Sequence, residues 1–139
     1  MKKDKKILPF PVKTQNGGIR VKNGDIYSCR DALQRLLAHD DIPVKQAYWI
    51  AKFARKMSEE IALVEGQRVA LIRKYGVEND GQVTVEQNGE NWVKFVQEHN
   101  ELMDMETDLD VRTVQIPDNV AIPIGDLMAL DMFIEIATV

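Results

Sequence analysis

The sequence predicts a mainly α protein with minor β, an α+β chain built around a long antiparallel helical hairpin. Three observations carry this. Between Val44 and Tyr75 the apolar positions recur at alternating steps of three and four: Ala47, Ile50, Ala54, Met57, Ile61, Val64, then Leu71 and Tyr75. That is a coiled-coil-like seam, narrower than the stripe of an ordinary globular helix. A second helical pattern, from about Glu90 to Leu109, follows a turn-rich stretch. Period-two alternation is confined to short segments in an N-terminal arm and before a C-terminal helix.

Composition bounds the rest. A chain of 139 residues is one domain with an attached arm. Its 45% hydrophobic content suffices for a core. The net charge of −4 argues against a dedicated nucleic-acid binder. The one basic run, Lys2, Lys3, Lys5 and Lys6, reads as a solvated end before it reads as a nucleic-acid or membrane contact. A single cysteine, Cys29, excludes a disulfide framework within the chain and suits a reducing cytoplasm. Pro9, Pro11 and Lys13 break any apolar stretch behind the lysines, so no signal peptide is expected. No window approaches the roughly eighteen apolar residues of a membrane span.

Residues 1–30 read as the arm. Ile7 to Val12 is extended, because Pro9 and Pro11 forbid a helix. Gly17-Gly18 signals a turn. Ile19–Val21 and Ile26–Ser28 flank Lys22-Asn23-Gly24-Asp25, whose Asn-Gly pair suits a tight β-hairpin. Residues 31–139 form the helical-hairpin domain. A short helix, Arg30 to His39, places Leu33, Leu36 and Leu37 on one face and ends before Pro43.

The long helix runs from beside Pro43 to Tyr75. Gly66, inside it, costs about 1 kcal/mol against alanine and suggests a close backbone approach or a slight bend. Gly76 stops it in the favoured C′ position, after Arg73 and Lys74. Residues 77–89 are a loop with a turn at Asp80-Gly81 and a strand-like run, Gln82–Val85. The second helix carries Trp92, Phe95, Val96, His99, Leu102, Met103 and Leu109 near one face. Val111–Ile116 reads as a strand, and Val120–Ile124 as a second strand or a linker broken by Pro123. The last helix, Asp126 to about Ile136, is too apolar to stand alone; Leu127, Leu130, Phe133 and Ile134 share its face.

If the two long helices pack antiparallel with Tyr75 opposite Trp92, facing residues keep a constant index sum. Leu71 then meets Phe95 or Val96, Val64 meets Leu102 and Met103, and Met57 meets Leu109. One layer is polar: Arg68 faces His99. A guanidinium there needs acceptors, and Glu65, Glu98 and Glu101 lie within a turn. The layer sets register, as a buried polar residue does in coiled coils, or else marks a small ligand or partner site.

No chemistry is spelled out. His39 and His99 are the only histidines, and no zinc or di-iron spacing surrounds them, so neither metal nor cofactor is expected. Asp104, Glu106, Asp108 and Asp110 lack the glycine and terminal glutamate of a calcium loop and read as an acidic surface. Cys29 beside Arg30 is either a reactive thiol or a structural one, and no motif supports the former. No phosphate-binding loop and no triad context appear, and catalysis is not expected. Lys45, Lys52, Arg55 and Lys56 interleave with Tyr48, Trp49 and Phe53. Trp49 and Phe53, four apart, form one apolar ridge that suits another protomer or element better than nucleic acid. The helix is basic in its first half and acidic at Glu59, Glu60 and Glu65, which suits contact between protomers.

Three runs carry a resemblance: Ile42 to Lys52, Val69 to Gly76 with the Asp-Gly loop after it, and Ile124 to Leu130. Across roughly residues 40–136 the chain resembles an uncharacterised family of small proteins encoded by tailed bacteriophages and prophages. The shared runs are structural and transfer no catalytic residue. The resemblance implies a non-enzymatic bacteriophage structural or assembly protein: capsid-associated, head–tail or tail accessory, located in the virion and assembled in the host cytoplasm. Its partners would be other phage structural proteins and itself as a homo-oligomer, with nucleic acid unlikely and no membrane. Contact is expected through Trp49, Phe53, Leu127, Leu130 and Phe133. The competing reading is a non-virion phage protein that binds and inhibits a host factor. A nucleic-acid-binding regulator ranks third.

Overall fold

A computed structural model describes residues 18–137. In chain order these form β1 (Ile19–Lys22), α1 (Asn23–Ser28), α2 (Arg30–Leu37), α3 (Val44–Tyr75), β2 (Val77–Asn79), β3 (Gln82–Thr84), α4 (Glu90–Asp104), β4 (Glu106–Leu109), β5 (Val114–Pro117), α5 (Ile124–Leu130) and β6 (Ile134–Ala137). The described chain is mainly helical with three two-stranded sheets, which places it in the α+β class. The extended segment expected around Pro9 and Pro11 lies outside the described residues.

The core gathers on the first half of α3. Ile50, Phe53, Ala54 and Met57 are buried there, at the three-and-four spacing of an amphipathic helix. Against them lie Ile26, Cys29, Ala32, Leu33 and Leu36 from α1, α2 and their junction; Ile19, Val21 and Leu109 from the first sheet; and Val114, Ile116, Leu130 and Phe133 from the C-terminal elements. Phe53 and Phe133 meet with ring centroids 5.7 Å apart.

The expected N-terminal hairpin does not form. Asn23-Gly24 opens α1 instead of turning a strand. The Asn23 amide group donates to the Leu102 carbonyl at 3.0 Å and its backbone N–H to Met105 at 2.9 Å, so this pair is fixed by the end of α4. β1 pairs antiparallel with β4, Ile19 opposite Leu109 and Lys22 opposite Glu106. Ile19, Val21, Ile26 and Cys29 therefore belong to the main core, which runs across a boundary at residue 30.

Two helices are shorter than their apolar pattern suggests. α4 ends at Asp104, and Glu106–Leu109 becomes a strand. The alternating acids belong to that strand: Leu109 is buried while Glu106 and Asp108 face outward and accept bonds from Arg20 at 2.6 and 3.1 Å. The last helix stops at Leu130, and Ile134–Ala137 pairs in parallel with β5, Val114 opposite Ile134. β-branched Ile134 and Ile136 fit a pleated edge once β5 is there to receive them. Val120–Ile124 forms no strand; Pro123 caps α5, whose Leu127 N–H bonds the Pro123 carbonyl at 3.0 Å.

α3 spans 32 residues but α4 only 15, and α4 buries no residue fully. Its Trp92, Phe95 and His99 stack in a row with centroid spacings of 5.8 and 5.6 Å, each half-buried. Lys74 reaches Glu98 at 3.3 Å, the Tyr75 hydroxyl also donates to Glu98, and Asn91 donates to the Tyr75 carbonyl at 3.4 Å. Matched long arms of a hairpin are thus not what this pair presents. Between the two helices, β2 and β3 form an antiparallel hairpin at Asp80-Gly81. Both turn residues have positive φ, 52° and 81°, the conformation that a two-residue Asp-Gly loop favours.

Gly66, inside α3, and Gly76, which ends it, have different surroundings. A Cβ on Gly66 would meet nothing within 4 Å, so no neighbouring backbone requires it. Gly76 is extended (φ −90°, ψ 169°) rather than left-handed. It is needed because a Cβ there would collide with the Ile72 carbonyl and stand 2.7 Å from Val83 Cγ1 and 3.0 Å from the Thr84 carbonyl. Gly66→Ala should therefore raise stability by up to about 1 kcal/mol. Gly76→Ala should lower it by about 1–3 kcal/mol. Urea unfolding midpoints read both; a neutral Gly76→Ala would contradict the crowding.

Candidate functional site

α3 is anchored on one side, so its other side is presented outward. In the first three turns that outward side carries Val44, Tyr48 and Trp49, which are 86%, 57% and 51% exposed. The Tyr48 and Trp49 rings touch edge to face, 5.3 Å apart at 77°. Lys52 Nζ lies 5.3 Å from the Trp49 ring centre and 5.8 Å from that of Tyr48, close enough for cation–π attraction. Lys45, Arg55 and Lys56 are exposed around them. Tyr and Trp are among the side chains that dominate binding energy at protein interfaces.

Trp49 and Phe53 do not make one external ridge. Phe53 is 3% exposed and belongs to the core, whereas Trp49, a turn earlier, stands at the core's rim. Leu130 and Phe133 are fully buried and Leu127 is half-buried, so they hold the fold and are not free for a partner. The apolar side chains that α5 and β6 do expose are Ile124, Met128 and Ile136. α5 is pinned by Asp126, whose carboxylate accepts two bonds from the Arg35 guanidinium, at 2.8 and 2.6 Å. That fork holds the Asp126 carboxyl below the usual range. Nothing in the local pattern of either residue announced this pair.

The structure brings Arg68 and His99 to the same open groove of about 610 Å3, together with Gly24, Tyr27, Arg30 and Met103. Arg68 donates to Glu65 through Nε at 3.1 Å and Nη2 at 2.9 Å. The Tyr27 hydroxyl also donates to Glu65. Of the three acceptors expected, Glu65 takes the role, while Glu98 is engaged by Lys74 and Tyr75. Arg30 stacks on Tyr27 with Cζ 3.9 Å from the ring centre, and Arg68 Cζ lies 5.8 Å from it. Sequence reading missed Tyr27 because it placed that residue in a hairpin strand; on α1 it points to the groove instead.

Electrostatics follow from these contacts. The Arg68 fork, then the Tyr27 hydroxyl, pulls the Glu65 carboxyl down to about 2. Loss of water, then the Glu65 bond, pushes the Tyr27 hydroxyl up. Burial pushes the Cys29 thiol to about 12, and its sulfur sits 3.0 Å from the Ile26 carbonyl oxygen. A thiol so placed is a packing group and not a nucleophile at neutral pH. Among the described residues, no three His, Cys, Asp or Glu side chains come together as metal ligands. Among them, too, no helix is long and apolar enough to cross a membrane.

Compared with protein-family models, with curated proteins and with solved structures, the chain finds no match in any of the three.

The Glu65 cluster has a pH signature. Its folded carboxyl titrates below the ordinary value of about 4.3, so the stabilisation it gives is complete above that value. It is lost as pH falls from there toward about 2. Thermal melts across that window should show a shallower acid decline in Glu65→Gln than in the wild type. Identical declines would mean that the cluster adds nothing.

Proposed function

We propose that this chain is a non-enzymatic structural or assembly protein of a tailed bacteriophage, acting through protein–protein contacts. In this reading it is a capsid-associated, head–tail or tail accessory component of the virion, assembled in the host cytoplasm, with itself and other phage structural proteins as partners. The observation that carries the proposal is the outward Val44–Tyr48–Trp49 face on a helix whose opposite face is fixed in the core. Exposing two adjacent aromatics to water is unfavourable in isolation and becomes favourable when a partner covers them. The resemblance of residues 42–52, 69–76 and 124–130 to the phage family supports the same reading. We further read α3 and α4 as an antiparallel pair carrying the β2–β3 hairpin at its tip, a projection suited to reaching a neighbour. No cofactor and no nucleic acid enter this reading.

The second reading is a non-virion phage protein that binds and inhibits a host factor. It is favoured by the exposed carboxylates of α4 and the segments beside it, Glu90, Glu101, Asp104 and Asp110, which suit a basic groove.

Mass spectrometry of purified particles of the encoding phage separates the two. The first reading expects the chain in particles at a fixed copy number that matches a symmetry of the shell or tail. Its absence would overturn that reading and direct the search to host proteins.

A further inference from the structure

The charges of the described chain are segregated along its length. Residues 44–58, the first half of α3, hold Lys45, Lys52, Arg55 and Lys56 and no acidic side chain. Residues 77–110, from β2 to just past β4, hold ten acidic side chains against Lys94 alone. Some of the acids are satisfied within the fold: Glu106 and Asp108 by Arg20, and Glu98 by Lys74. Those of the outward side of α4 have no such partner among the described residues: Glu90, Glu101 and Asp104 are all exposed.

The two helix faces also match in shape. On α4 an outward stripe runs Glu90, Val93, Gln97, Glu101, Asp104, with Val93 70% exposed between the acids. On α3 the outward stripe runs Lys45, Tyr48, Trp49, Lys52, Lys56, with the aromatics between the cations. Lys45 and Lys56 are eleven residues apart, and so are Glu90 and Glu101. At 1.5 Å rise per residue both pairs span about 16 Å. The two faces carry charge of opposite sign toward their ends; on α4 the middle is Val93 and Gln97, with Lys94, the helix's one cation, exposed beside Val93.

We infer that the partner of the Tyr48–Trp49 face is a second copy of this chain, which presents the outward face of its α4. Lys45 and Lys56 of one copy oppose the acidic pair of the next, and Tyr48 and Trp49 cover Val93. This rests on the proposed function only in taking that face as a contact surface; it names what the face contacts. The two faces differ, so the contact is heterologous and each copy keeps one free face of each kind. Association then continues head to tail until a ring closes or other components cap it. Two helix faces of three to four turns lie at the small end of stable interfaces, so the self-contact is weak and concentration-dependent. Its charged ends make it weaken as salt rises from about 50 mM to about 0.5 M.

The test uses two full-length variants with changes only at exposed positions: Tyr48→Ala with Trp49→Ala, and Glu90→Lys with Glu101→Lys. Circular dichroism and melting first check that both fold like the wild type. Sedimentation velocity over a concentration series then reads assembly. Expected is wild-type association beyond a dimer that salt reverses, a monomer for each variant alone, and a one-to-one heterodimer when the two are mixed. The mixture pairs because each variant keeps the face that the other has lost. A wild type that stays monomeric up to about millimolar concentration overturns the inference. So does a variant that still assembles alone, or a mixture that stays monomeric. A monomeric wild type whose duplex DNA binding requires Trp49 and Lys52 would assign the face to nucleic acid instead. None of these outcomes decides whether the chain is in particles, which the mass spectrometry reads separately.

Discussion

The rest of the molecule depends on burying the first half of α3. Phe53 against Phe133, with Ile50, Ala54 and Met57 beside it, draws β5, the turn after α5, α1 and α2 onto one helix face. Burying a side chain of this size stabilises by about 1.5–3 kcal/mol, and this cluster gathers several into one contiguous core. β1, α1, α2, β4, β5 and α5 each contribute a buried side chain to it, and Cys29, Val111, Val120 and Phe133 add to it from the segments between elements. The same burial fixes the rotation of α3. With Ile50 and Phe53 inward, Tyr48 and Lys52 have no choice but to face water.

The far half of α3 is held differently. Val64 is buried there apart from the main core cluster, α4 offers half-buried aromatics and no fully buried residue, and polar clusters stand beside them: Tyr27 and Arg68 on Glu65, Lys74 and Tyr75 on Glu98. Such part-exposed contacts add less than apolar burial and open more readily. The chain therefore joins a rigid end, which presents aromatics and cations, to a more yielding end that presents carboxylates. The proposed assembly role would use both: one surface kept in shape before contact, and one that can adjust to a neighbour.

How far the sequence foretold this depended on whether the deciding contact was local. The bounds of α3 follow from Pro43, the seam and Gly76, all within one segment, and they match the structure. The Asp80-Gly81 turn is equally local. Asn23-Gly24 carries the same signal and fails, because its partner is the end of α4 almost eighty residues away. Ile134–Ala137 suits a helix or a strand by pattern; only the presence of β5 decides. Arg68 and His99, expected as one layer of a helical hairpin, line the same groove, and Arg68 spends its donors on Glu65 within its own helix. Tyr27 and the Arg35–Asp126 fork were not, because each joins elements whose docking no periodicity encodes. Trp49 and Phe53 have the same spacing and the same chemistry, and only the edge of the core separates them.

The central claim is that α3 is clamped at one end and lightly held at the other. Hydrogen exchange of the backbone amides, measured on the dilute protein, tests it most directly. The account predicts the slowest exchange around Ile50–Met57 and in β5, with amides of residues 65–75 and of α4 at least about tenfold faster. Equal protection along all of α3, or greater protection in its far half, would contradict it.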